Sequence, residues 1–213
     1  MLDNIEQNSD EWLELKAGKF SASRAKDLMA KGQGGAPSKT RANLIASLAV
    51  ERMTGKYSEG FKSWEMERGN EVEDEAADAY TFLRGVVLEK VAFVPHPKIK
   101  NCGASPDRLV GDDGLAEFKC PSASARHGDA LLRGSHGVEH NKQAQFQMMC
   151  TGRKWVDVVS YCPSFPEGLE LAIVRLERDE KMIGLMEQEI EKAEVEVLEM
   201  MEKFKAIQAK GIK

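Results

Sequence analysis

The stretch from Asn101 to Pro121, NCGASPDRLVGDDGLAEFKCP, constrains this chain more than any other. Two short apolar runs flank Gly111-Asp112-Asp113-Gly114, a tip rich in residues that tolerate positive φ, and that pattern predicts a β-hairpin. Side chains alternate faces along a strand, so Glu117 and Lys119 share one face while Phe118 enters the opposite layer. Asp107 falls near the start of the facing strand, where its carboxylate can converge on the same spot. Two carboxylates, one ammonium and the Phe118 backbone carbonyl make a hard-oxygen site suited to Mg²⁺ or Mn²⁺. A surface hairpin can carry the same residues with no chemical role, so the rest of the chain decides the reading.

A length of 213 residues suits one domain, read as 1–213, with enough chain for a sizeable core. There is no apolar run long enough to span a bilayer, and Met1 to Glu14 is too polar for a secretory signal, so the expectation is a cytoplasmic protein with no membrane contact. Cys102, Cys120, Cys150 and Cys162 form no C-x-x-C pair, which points to reduced thiols and away from zinc. The net charge of −5 looks unfavourable for a partner of nucleic acid. However, Glu177 to Lys205 holds ten acids and five bases, which accounts for the whole imbalance, so a basic groove elsewhere is compatible with it.

In chain order, Ser9 is placed to cap a helix that Gly18 ends, and Ser21 or Ser23 to cap a second helix running to about Ala30. The glycine-rich run from Lys31 to Arg41 lacks the spacing of a P-loop, yet its Lys31, Lys39 and Arg41 suit a polyanion. Helices are expected over Arg41–Thr54 and across the acidic stretch from Trp64 to Gly85, then a strand over Val86–Val94. After the hairpin come helices near 123–133 and 138–151, strands at Trp155–Tyr161 and Leu169–Leu176, and a helix over about 179–208. That last helix repeats apolar residues from Ile183 to Ile207 at alternating steps of three and four, a heptad seam. The order predicts an α/β fold: a central mixed β-sheet flanked by helices, with a long C-terminal helix.

Five ordered blocks carry a more specific message: Trp12-x-x-x-Lys16-x-Gly-x-x-Ser21-Ala-Ser23, Gly69-x-x-x-Glu73, Ser105-Pro106-Asp107, Glu117-Phe118-Lys119-Cys-Pro121 and Gln143-Ala-Gln145. With them the chain resembles the phage lambda-type exonucleases, or YqaJ-type viral recombinases, of the PD-(D/E)xK nuclease superfamily. The resemblance implies a restriction-endonuclease-like core and a Mg²⁺-dependent enzyme (Mn²⁺ a possible substitute). Such an enzyme digests one strand of linear double-stranded DNA from its 5′ end to mononucleotides, leaving a 3′ overhang for strand annealing. It implies that Asp107, Glu117, the Phe118 carbonyl and Glu73 hold metal, and that Lys119 and Gln145 complete the catalytic set. Lys16, Ser23 and Ser105 would hold the 5′-phosphate, with Lys39 and Arg41 as further DNA contacts. Lys16 departs from the arginine of a better-known member, giving a point charge without a bidentate fork. The implied partners are DNA ends, two further copies in a toroidal homotrimer, and a phage-type single-strand annealing protein. Competing readings are a structure-selective or restriction-like endonuclease and a non-catalytic DNA-binding or scaffold protein.

Overall fold

The computed structural model describes residues 5–36, 38–58, 64–121, 124–134 and 138–211. Helix α1 (Asp10–Lys16) starts at Ser9, whose hydroxyl accepts from the Trp12 N–H. Strand β1 (Phe20–Ser21) follows, then a 3-10 turn over Ala22–Arg24 and the short α2 (Ala25–Leu28). The single helix expected from Ser21 to Ala30 is thus broken in two. The Ser21 side chain makes no capping bond and meets the Ser23 hydroxyl at 3.3 Å instead. Helix α3 (Lys39–Thr54) is capped by Ser38 and stopped by Gly55 at φ +70°, and α4 spans Trp64–Arg84.

The strand expected over Val86–Val94 is also divided. Leu88–Glu89 (β2) and Val94–Pro95 (β3) join different sheets. Between them the backbone bonds to side chains: the Val91 carbonyl accepts from the Gln7 amide at 2.8 Å and the Ala92 carbonyl from the Trp12 indole at 2.9 Å. Those bonds satisfy the carbonyls without a ladder. Strand β4 (Cys102–Ala104) pairs with β1 in parallel and with β3 in antiparallel fashion.

The hairpin forms as β5 (Arg108–Val110) and β6 (Gly114–Lys119). Then come α5 (Ser124–Arg133), α6 (Val138–Thr151), β7 (Trp155–Tyr161), β8 (Leu171–Glu177) and α7 (Glu180–Lys210). The larger sheet has the order β2-β5-β6-β7-β8, with β6 and β7 parallel and the other neighbours antiparallel. It is mixed, as the sequence predicts. Period-two alternation sends Leu115, Val156 and Val158 into the core beneath α3, α6 and α7, while Ala116, Phe118 and Val159 pack against Ala76, Ala77 and Tyr80 of α4.

The heptad seam of α7 is consumed within the chain. Ile183, Met186, Ile190, Ala193 and Val197 are buried against the core that includes Leu44, Ile45 and Leu48 of α3, whereas Ile207 is exposed. The acids of α7 are partly consumed as well. Arg41 places one nitrogen 2.7 and 2.6 Å from the Glu196 oxygens, and Arg52 grips Glu194 at 2.8 and 2.7 Å. No helix among the described residues is long and apolar enough to cross a membrane.

Candidate active site

The hairpin register pairs Arg108 with Ala116, so Asp107 comes opposite Glu117. Asp107 Oδ2 accepts from the Phe118 N–H at 2.7 Å. A strand residue points its N–H and C=O to the same edge, so the Phe118 carbonyl also opens towards Asp107, where β5 has not yet begun. The tight turn takes its positive φ at Gly111. Gly114 serves packing: a Cβ there would lie 2.1 Å from the Trp155 ring.

Glu117 is buried and receives donors on both oxygens. Lys119 Nζ lies 2.7 Å from Oε1, the Gln143 amide donates to the same oxygen, and the Gln147 amide donates to Oε2 at 2.5 Å. Gln143 and Gln147 stand one turn apart on α6, which puts both amides on the face towards β6. Gln145, the residue singled out by the family pattern, lies on the other side of the helix. Its amide donates to the Glu177 carbonyl at 2.7 Å and accepts from the Asp179 N–H at 2.8 Å, fastening the β8–α7 junction. Helical periodicity turns Gln145 away from Lys119, so the structure does not bring it into the cluster in which the resemblance places it. The four-residue spacing of Gln143 and Gln147 was the signal that could have found the pair.

Glu73 faces this cluster from α4, but its carboxylate is bonded to Arg108 at 2.7 Å, and Arg108 also reaches Asp74 at 2.5 Å. Among the described residues no three Asp, Glu, His or Cys side chains gather as a metal cage. The oxygens that could hold a metal ion are the Asp107 and Glu117 carboxylates with the Phe118 carbonyl, with Glu73 alongside them in its ion pair with Arg108. Burial, and then the charges of Glu117 and Glu73, push the Asp107 carboxyl well above its ordinary pKa, against the pull of Lys119 and the Phe118 N–H. Burial works to lower the Lys119 ammonium, but Glu117 and Asp107 outweigh it and hold its pKa above the usual value. Crowded hard oxygens whose mutual repulsion a cation relieves fit a Mg²⁺- or Mn²⁺-sized ion.

A second cluster adjoins the first. Lys16 is buried with its Nζ 3.5 Å above the Trp12 ring, and the Trp12 indole donates to Ser105 Oγ at 3.0 Å. Burial, then the neighbouring Arg24, lower the Lys16 pKa to about 7, while Glu117 and Glu51 work in the other direction. That Glu117 acts on Lys16 at all brings the two clusters within electrostatic reach of each other. Arg24 stacks on Tyr57 with its guanidinium carbon 4.6 Å from the ring centroid, and is clamped by Glu51 at 2.9 and 2.5 Å. Glu51, fully buried, also accepts from the Gly18 N–H at 2.8 Å and the Ser58 N–H at 3.1 Å, so one carboxylate ties together the walls around Lys16. Ser23 is exposed beside Ser21, whose register partner is Gly103, two residues from Ser105. Lys39 is exposed at the start of α3, whereas Arg41, expected to face DNA, is engaged with α7.

The model of the YqaJ-like viral recombinase domain matches residues 11–154, a span that includes both clusters. The chain belongs to the YqaJ-like viral recombinase family. Its fold is similar to the crystal structure of the alkaline exonuclease LHK-Exo from Laribacter hongkongensis. The two are 37% identical over 95% of this chain and 99% of that one, with a TM-score of 0.86. The same enzyme in complex with dAMP matches equally, at a TM-score of 0.86. A phage-related exonuclease from Haemophilus somnus 129PT shares the fold at 14% identity, with a TM-score of 0.73 over 87% of this chain and 96% of that one. No curated protein sequence matches. The recombinase-family chain thus shares its mixed α/β fold with these exonucleases, and it carries a long C-terminal helix.

Proposed function

We propose that the chain is a Mg²⁺-dependent exonuclease that digests one strand of linear duplex DNA from the 5′ end, releasing mononucleotides and leaving a 3′ single-stranded overhang. The observation that carries this is the adjacency of two clusters: an acid pair with a lysine, and a buried lysine flanked by a serine hydroxyl. The first suits phosphodiester hydrolysis and the second suits a phosphate. LHK-Exo, the relative at 37% identity, is a named exonuclease and binds dAMP, a mononucleotide.

Asp107, Glu117 and the Phe118 carbonyl would hold the metal ion. When bound, that ion supplies a water of lowered pKa and charge stabilisation of the in-line displacement. Lys119, kept cationic by Glu117 and Asp107, stands beside the reacting face to offset negative charge gathering on the phosphoryl oxygens. Gln143 and Gln147 fix Glu117 through its two oxygens. Lys16 and Ser105, held to each other through Trp12, would receive the terminal phosphate, with Ser23 at the rim. Engagement of that terminus would set the direction of digestion by presenting the adjoining phosphodiester to the acid pair. Toroidal trimer assembly around the duplex and cooperation with a single-strand annealing protein are part of the same proposal.

End-labelled duplexes test it. With Mg²⁺, a 5′-phosphorylated linear duplex should be degraded to mononucleotides faster than its 5′-hydroxyl counterpart, and covalently closed circles should survive. Cutting of closed circles would replace the exonuclease reading with an endonuclease. Sedimentation at micromolar concentration should show three chains per particle.

A further inference from the structure

One group at the acid pair is more deeply buried than the hairpin pattern requires. Gln147 is fully buried, its Nε2 donates to Glu117 Oε2, and its buried Oε1 has no hydrogen-bond partner among the described residues. The amide's orientation is dictated by chemistry. A carboxylate oxygen only accepts, so the NH2 must face Glu117 and the carbonyl must face away. An orphaned buried carbonyl carries a desolvation penalty that an apolar side chain of equal length would avoid. Gln145, two residues earlier on the same helix, shows the contrasting case, with both ends of its amide bonded to backbone.

We propose that Gln147 is a positioning residue: it holds the Glu117 carboxylate in the orientation that presents its remaining lone pairs to a divalent cation. Glu117 Oε1 already has two donors, Lys119 and Gln143, both only half-buried. Among the described residues the hydrogen bond to Oε2 comes from Gln147. The terminal torsion of a glutamate is broad and roughly two-fold, so a donor on one oxygen alone leaves the plane of the carboxylate free to turn. Donors on both oxygens fix it, and with it the Lys119 ammonium bonded to Oε1. The unsatisfied Oε1 of Gln147 is what this constraint costs the fold. The inference rests on the metal-dependent reading above and deepens it, assigning metal affinity to a residue that touches no metal.

The test combines Mn²⁺ binding, followed by electron paramagnetic resonance of the free ion, with thermal unfolding and steady-state digestion of duplex DNA by the full chain. In Gln147→Met the Mn²⁺ dissociation constant is expected to rise about tenfold or more, the usual consequence of losing a group that orients a metal ligand. Its kcat should fall with KM for DNA nearly unchanged, and its melting temperature should change little, because the variant exchanges the orphaned Gln147 carbonyl for an orphaned Glu117 Oε2. Gln147→Asn keeps an amide but falls one methylene short of Glu117, and should lose Mn²⁺ affinity in the same way. Gln145→Met is the contrast, expected to melt earlier with unchanged Mn²⁺ affinity. Normal Mn²⁺ affinity and kcat in Gln147→Met, or a lowered melting temperature with affinity intact, would overturn the proposal. An unmutated protein that binds no Mn²⁺ would overturn the metal-dependent reading along with it, so the two failures are told apart.

Discussion

Replacing Lys16 by Met should stabilise the protein, and by an amount that depends on pH in a defined way. Burial and Arg24 lower the Lys16 pKa from 10.5 to about 7, against the opposing pull of Glu117 and Glu51. At about 1.4 kcal/mol per pH unit, that displacement is a penalty on the charged form of about 5 kcal/mol. Between about pH 7 and about pH 10 the unfolded chain binds the proton and the folded chain does not, so stability rises with pH through this window. Below about pH 7 both states are protonated, the slope vanishes and the full penalty remains. Lys16→Met removes the penalty but forfeits the stacking of the ammonium on Trp12, worth about 0.5–2 kcal/mol. The variant should therefore exceed the parent by about 3–5 kcal/mol near pH 6, and the gap should close as pH approaches 10. Urea unfolding of both proteins at several pH values, with the slope of the transition checked for constancy, measures the gap. A difference that stays constant across the window would refute the reasoning, because only a displaced titration makes it close.

Lys119→Ala should abolish cleavage while duplex affinity survives, since affinity rests mainly on phosphate contacts elsewhere; single-turnover digestion beside a binding assay checks it, and near-normal turnover contradicts the site. Glu51→Ala strands the clamped Arg24 guanidinium and two N–H groups, and should cost about 3–5 kcal/mol in chemical denaturation. Gly114→Ala drives a methyl into the Trp155 ring and should cost about 1–3 kcal/mol, visible as an earlier thermal midpoint. A 5′-phosphorylated duplex binding near pH 8 should draw a proton onto Lys16, measurable by calorimetry in buffers of different ionisation enthalpy, whereas a 5′-hydroxyl duplex should not.

How much of this was legible in the sequence depends on the range of the interactions involved. The hairpin, β7 and the seam of α7 follow from local periodicity and turn chemistry, and they form where expected. Strand Val86–Val94 did not, because Gln7 and Trp12, distant in sequence, claim its carbonyls. Asp107, Glu117 and Lys119 converge because a two-residue period and a short turn leave little choice. The glutamines show the limit of pattern reading. A family block drew attention to Gln145, yet which of three amides meets Glu117 is decided by the rotation of α6 about its axis against β6. Arg41 looked like a DNA contact because its acceptors on α7 lie far along the chain.

The packing of α7 on α3 also sets a timetable for the growing polypeptide. Arg41 and Glu196 stand 155 residues apart in sequence, and Trp12 and Ser105 stand 93 apart. During synthesis, therefore, the cluster around Lys16 and Trp12 has to wait for the segment carrying Ser105, and the apolar face of α3 lacks its cover until α7 has emerged. For that interval Leu44, Ile45 and Leu48 belong to a surface rather than a core. Loop closure over such distances is slow to be repaid, and exposed apolar faces associate while they wait. A ribosome that stalls before α7 would hold a chain whose apolar α3 face is still uncovered. The last helix then decides when that face is covered as much as how the protein stays folded.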